Sequence, residues 1–95
     1  MASKVRQQIE GIGRTNPVSA SGPVAFIIED PSGSSVTLVY SSDDGATWED
    51  VPNEGSTYTF TDSAAGEIAN HGPNLYALEC TSYLGVPFWT TLSAN

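Results

Sequence analysis

From Pro23 onward, apolar and polar positions repeat with the short period of extended chain, broken by Gly, Pro, Asp and Asn. Val24-Ala25-Phe26-Ile27-Ile28 is a continuous apolar run of strand length, which predicts a strand buried on both faces. Val36, Leu38 and Tyr40 alternate with Thr37, Val39 and Ser41, predicting a second strand with one strongly apolar face. Asp43-Asp44-Gly45 reads as a hairpin turn, where glycine supplies the positive φ, and residues 47–51 as the return strand. Pro52-Asn53-Glu54-Gly55 turns the chain again, and Tyr58 and Phe60 alternate with threonines over residues 57–61. Residues 62–73 read mostly as loop around an isolated Ile68. Over 75–81, Tyr76, Leu78 and Cys80 share one face, and over 86–93, Phe88 and Trp89 fall on opposite faces. Six or seven strands spaced near ten residues predict an all-β sandwich of two sheets.

The first 22 residues break this pattern. Val5, Ile9 and Ile12 have helical spacing, but Gly11 and Gly13 follow closely, and so short a segment makes no stable helix alone. Residues 15–22 (TNPVSASG) are turn and linker chemistry. The expected division is an N-terminal arm over 1–22, with room for one strand or turn, and a sandwich domain over 23–95. A chain of 95 residues suits one such domain.

Charge sharpens the division. The cations are Lys4, Arg6 and Arg14, whereas ten of the eleven acidic residues follow Arg14, for a net charge of −8. A body this acidic repels phosphate, which argues against nucleic acid and anionic membrane as partners. The negative charge also serves solubility. Read as a docking pattern, it predicts a basic partner surface for the body and an acidic one for the arm. Cys80 is alone, so no intrachain disulfide forms, in keeping with synthesis in a reducing cytosol. The N-terminus lacks the apolar run of a signal peptide, and no stretch reaches the ~18 apolar residues of a membrane span.

Val36-Thr37-Leu38-Val39-Tyr40 with Ser41 to Trp48 and Val51, then Tyr58 and Phe60, then Tyr76 to Ser82 with Gly85 and Pro87, together resemble a fibronectin type III or immunoglobulin-like domain. The resemblance implies that Tyr76 onward forms the final hairpin. Both Trp residues come later than that family's early-strand Trp, so a jelly roll or small barrel stays open as the alternative. Ser41-x-Asp43-x-Gly45-x-Thr47-Trp48 is similar to the Asp box of sialidases, but it occurs once, and local turn chemistry accounts for it. The whole chain resembles the small, acidic, Ser/Thr/Gly-rich accessory proteins of tailed bacteriophages. That likeness implies a virion protein made in the host cytoplasm. It would be a decoration or cement module bound to the major capsid protein, and a homotrimer is natural for such a module.

Candidate chemistry is thin. Glu29-Asp30, Asp43-Asp44 and Glu49-Asp50 are adjacent pairs, and adjacent strand residues point to opposite faces, so none makes a convergent acid–base pair. A calcium ion near Asp43 and Asp44, or at Glu29-Asp30, is the one cofactor the carboxylates allow, without EF-hand spacing. His71 reads as a loop residue and Cys80 as core, too few for a zinc site or a nucleophile–base pair. Gly11-x-Gly13 lacks the third glycine of a phosphate loop. Trp48, Tyr58, Phe60, Tyr76 and Trp89 read as core, whereas Tyr83 and Phe88 beside the Leu84-Gly85 connection read as partner anchors. The expectation is therefore a non-enzymatic binding protein that docks through Lys4, Val5, Arg6, Ile9, Ile12 and Arg14, and through Tyr83 and Phe88. A tail or adaptor component and a carbohydrate- or host-surface-binding module are the alternatives.

Overall fold

Strand phase is read most directly at the chain's end. In the strand Phe88–Ala94, Phe88, Thr90, Leu92 and Ala94 are buried and Trp89 between them is exposed. A computed structural model describes residues 3–69 and 74–94. Its strands are β1 (Ser3–Ile9), β2 (Gly13–Arg14), β3 (Val18–Ala20), β4 (Val24–Glu29), β5 (Ser35–Ser41) and β6 (Glu49–Asp50). They continue as β7 (Pro52–Asn53), β8 (Ser56–Thr57), β9 (Thr59–Phe60), β10 (Ala64–Ile68), β11 (Asn74–Ser82) and β12 (Phe88–Ala94). Two sheets face each other. The first has the order β1-β12-β4-β10; the second runs β2-β11-β5-β6, with β3 also on β11 and β9 on β5. A small ribbon, β7-β8, lies apart.

All pairings are antiparallel, and they nest. The first strand pairs with the last, β2 and β3 pair with β11, β4 with β10, and β5 with β6 and β9. Two further seams, β12–β4 and β11–β5, roll this ribbon into a sandwich. With β2/β3 and β6/β9 each counted as one position, this is the eight-position order of a jelly roll. The β-sandwich expected from the pattern is present, with the alternative topology. The final hairpin implied by the fibronectin resemblance is replaced, because β11 and β12 belong to opposite sheets and residues 83–87 cross between them.

Several expectations change with this topology. No structural boundary falls at residue 22. β1 pairs with β12 over its full length, from Ser3 opposite Ala94 to Ile9 opposite Phe88, and Ile9, Val18 and Ala20 are core residues. The linker-like stretch is fixed too: the Thr15 N–H donates to Leu78 O at 2.9 Å, and the Leu78 N–H donates to Thr15 Oγ1 at 3.1 Å. β4 is buried on one face only, with Val24, Phe26 and Ile28 inward and Ile27 exposed. Part of the expected 62–73 loop is the edge strand β10. Its Gly66 leaves room for the Phe26 ring, since a Cβ there would lie 2.9 Å from Phe26 Cζ.

Inward residues of both sheets, among them Phe26, Ile28, Leu38, Leu78, Phe88 and Leu92, make one core. Full burial of each large side chain contributes about 1.5–3 kcal/mol. Because Ile9 belongs to that core, Ile9→Ala should cost about 2–5 kcal/mol. A urea unfolding curve checks this. A detachable arm would leave the midpoint where it was.

Candidate functional site

The roll brings four crossings to one end of the sandwich. Ile9 is opposite Phe88, Glu29 opposite Trp89, and Ser35 opposite Ser82, so residues 10–12, 30–34 and 83–87 close the same end. Residues 61–63 join them, since the Asp30 N–H donates to Ser63 Oγ at 2.9 Å. The Leu84 N–H donates to Ser34 Oγ at 2.9 Å, which ties two of the crossings together. Gly33, at φ 89°, sits under the Leu84 side chain, and a Cβ there would come within 2.9 Å of Leu84 Cδ1.

Apolar side chains collect at this end. Ile12 is 73% exposed, Leu84 60% and Val86 48%, all within the crossings. Trp89 and Ile27 are the other large exposed hydrophobics among the described residues. Both lie on the outer face of the first sheet that leads away from the same end, by register with Glu29 and Thr91. Arg6 shares that face, opposite Thr91. Its guanidinium lies 4.1 Å from the Trp89 ring centroid and 3.3 Å from Glu29 Oε2. An exposed ion pair contributes only about 0–1 kcal/mol. Arg6 can therefore exchange Glu29 for another carboxylate at little cost while keeping its aromatic seat.

The expected docking residues separate. Lys4 is exposed on the outer face, opposite Ser93, and Ile12 is exposed at the end. Ile9 is core and Val5 packs partly buried against it. Arg14 is on the second sheet, 3.7 Å from Glu79 and 5.0 Å from the Trp48 ring centroid. Phe88, expected as an anchor, is 2% exposed and lies inside, whereas Trp89, expected in the core, is outside. Tyr83 is half-buried against the core. Sequence reasoning missed Ile27, Leu84, Val86 and Trp89 as surface residues. The available signal was Leu84-Gly85-Val86, apolar positions flanking a glycine in a connection with no strand pattern.

The Asp43 turn is a self-contained lock. The Ser41 hydroxyl donates to Asp43 Oδ1 at 2.7 Å, and the Thr47 N–H donates to the same oxygen at 2.9 Å. The Thr47 hydroxyl donates to Oδ2, and the Gly45 N–H donates to Ser41 Oγ at 2.8 Å. Asp44 and Gly45 take φ of 61° and 92°. The turn folds over the second sheet's outer face, where Val39 and Ala77 are buried and Arg14 stacks on Trp48. Trp48 is thus a half-buried cover on the outside and not part of the inner core. Both Asp43 oxygens are engaged, and among the described residues no three His, Cys, Asp or Glu side chains gather as metal ligands. Cys80 is buried, and burial pushes its thiol pKa up. His71 lies outside the described residues.

No protein-family model, curated protein or solved structure matches the chain.

The Thr47 hydroxyl, then the Ser41 hydroxyl and the Thr47 N–H, hold the Asp43 carboxyl at about 2, below its ordinary 3.8. A lowered folded-state value means the lock contributes fully above the ordinary value and is lost as pH falls through the lowered one. The Asp43 carboxyl carbon shift and Trp48 fluorescence, followed from about pH 5 downward, should both move with a midpoint near 2. A midpoint at 3.8 would remove the lock.

Proposed function

We propose that this chain is a non-enzymatic virion structural protein, a decoration module that binds the outside of a capsid shell through the apolar end of its sandwich. One observation carries the reading. The large exposed hydrophobics gather at one end and its adjoining face, on a chain whose net charge is −8. Scattered exposed apolar residues need no account, but residues grouped beside Trp and Arg have the composition of an interface hot spot. Support also comes from the jelly-roll order, which recurs in capsid and lectin domains, although a fold alone assigns no function.

Docking in this reading uses the end of the sandwich, since the N-terminal segment expected as an arm is paired into the first sheet as β1. Ile12, Leu84 and Val86 would seat against the shell, with Trp89 and Arg6 at the rim and Lys4 farther along the same face. Arg6 would meet a carboxylate of the shell protein. Binding only to assembled shell stabilises the shell by mass action.

Leu84→Asp and Val86→Asp place charge at the centre of the proposed contact while leaving the core alone. Together they should lower occupancy on purified shells of the encoding virus at least tenfold, for a loss of about 1.4 kcal/mol or more. The isolated protein's melting temperature should stay within a degree or two. Full occupancy by the double variant, measured by cosedimentation, would reject this end as the docking surface.

A further inference from the structure

The first sheet ends on two strands whose far sides no other strand pairs with among the described residues, β1 on one side and β10 on the other. Sheet edges of this kind are commonly blunted by Lys, Pro or a bulge. β10 has none of these: it reads Ala64, Ala65, Gly66, Glu67, Ile68, and its register with β4 runs without a break. β1 carries Lys4 and Arg6 on the outer face. The pairings put one charge of each edge at the two ends of a single row across the sheet. Lys4 is opposite Ser93, Ser93 opposite Ala25, and Ala25 opposite Glu67. Lys4 and Glu67 are exposed, and neither has an ion-pair partner among the described residues.

We infer that β10 pairs antiparallel with β1 of a second copy of this chain, with Glu67 opposite Lys4 of that copy. In this register Ala65 meets Arg6, Gly66 meets Val5 and Ala64 meets Gln7. Inward and outward faces are kept from copy to copy, as a period of two requires. Gly66 and the two alanines offer almost no side chain to hold the incoming strand off. Charge selects among the ways of joining these edges. β1 on β1 sets Lys4 and Arg6 of one copy among those of the other, and β10 on β10 leaves Glu67 without a cation. Opposite charges facing each other stabilise a cross-strand pair, and like charges destabilise it. A slip of two residues would set Arg6 opposite Glu67 instead, but Arg6 is already held by Trp89 and Glu29.

The pairing is independent of the docking proposal, since Ile12, Leu84 and Val86 take no part in it. Because its two edges differ, each copy in a pair keeps one edge uncovered, and the contact repeats head to tail.

Lys4 is the only lysine of the chain, which makes the contact testable by carbodiimide cross-linking, a reagent that joins an amine to a carboxylate in direct contact. Within one copy Lys4 is three strands away from Glu67, about 14 Å by sheet spacing, so a link between them must join two copies. The full chain is concentrated to millimolar at about 0.15 M salt, where repulsion between acidic bodies is screened beyond ~8 Å. Mass spectrometry should find Lys4 joined to Glu67, in products of two copies and more. Lys4→Arg should abolish that link. In sedimentation equilibrium, Lys4→Glu or Glu67→Lys alone should weaken association about tenfold, and the two together should restore it. Glu67→Lys also moves the net charge of −8 toward zero, so general repulsion alone would predict tighter association for that variant. Leu84→Asp with Val86→Asp should leave the link in place, which separates failure of this contact from failure of the docking end. A monomer at every concentration, Lys4 joined only to other carboxylates, products that stop at two copies, or a double exchange that does not restore association would each overturn the assignment.

Discussion

The seam between β1 and β12 sets the geometry of everything else, because it joins the two ends of the chain and fixes the phase of a strand central to its sheet. Side chains alternate with period two, so a slip of one residue would turn Phe88 and Leu92 out and Trp89 in. β12 is held from both sides, by β1 through Ser3 to Ile9 and by β4 through Val24 to Glu29. The Thr90 hydroxyl, inward and buried, adds a bond to Gln7 O at 3.1 Å. With that phase set, Trp89 must face outward, and Arg6 on the neighbouring strand lies over it. Loop closure across nearly the whole chain costs entropy that grows only slowly with length. Non-local pairing of this kind is slow to form, though, and nested pairing eases it, since each inner pair shortens the loop the outer pair must close.

The parts of the fold visible in the sequence are those whose alternation has contrast. In β5 and β11, Val36, Leu38, Tyr76, Leu78 and Cys80 recur at every second position, and all are buried. β1 has no such contrast. Val5 and Ile9 are four apart, a separation that satisfies the helical period and the strand period alike. The residue that decides between them is Gln7, which only the strand period turns inward with Val5 and Ile9, yet which is polar. It holds its place through a bond that sequence does not announce, with Gln7 Oε1 accepting from the Asn16 N–H at 2.9 Å. β10 was hidden for the reason that it is an edge. Ala64, Ala65 and Gly66 carry almost no side chain to alternate, and the strand is defined by what β4 offers it.

Local and non-local sites differ in the same way. The bonds among Ser41, Asp43, Gly45 and Thr47 span at most four residues, so the residue types and spacing were enough to predict the lock. The apolar end depends on loops separated by up to seventy residues meeting at the end of a roll. Ile12, Leu84 and Val86 are unrelated in the sequence, and only the jelly-roll order makes them neighbours. Alternation could say that Phe88 and Trp89 face opposite ways. It could not say which way is in, because that depends on β1 and β4.

Charge placement follows from the same roll. Both arginines rest on tryptophans, Arg6 on Trp89 and Arg14 on Trp48, one on each outer face. Each also lies beside a glutamate, so neither adds an unopposed positive charge to the surface. The acidic surplus sits mainly at turns, where Asp30, Asp44 and Glu54 also take positive φ. In the proposed role, copies crowded on a shell would repel one another, but screening confines that repulsion to about 8 Å at physiological salt. Attachment must then come from a contact that salt does not screen. Among the described residues, the large exposed hydrophobics that could supply it gather at the end where four crossings meet and on the face adjoining it.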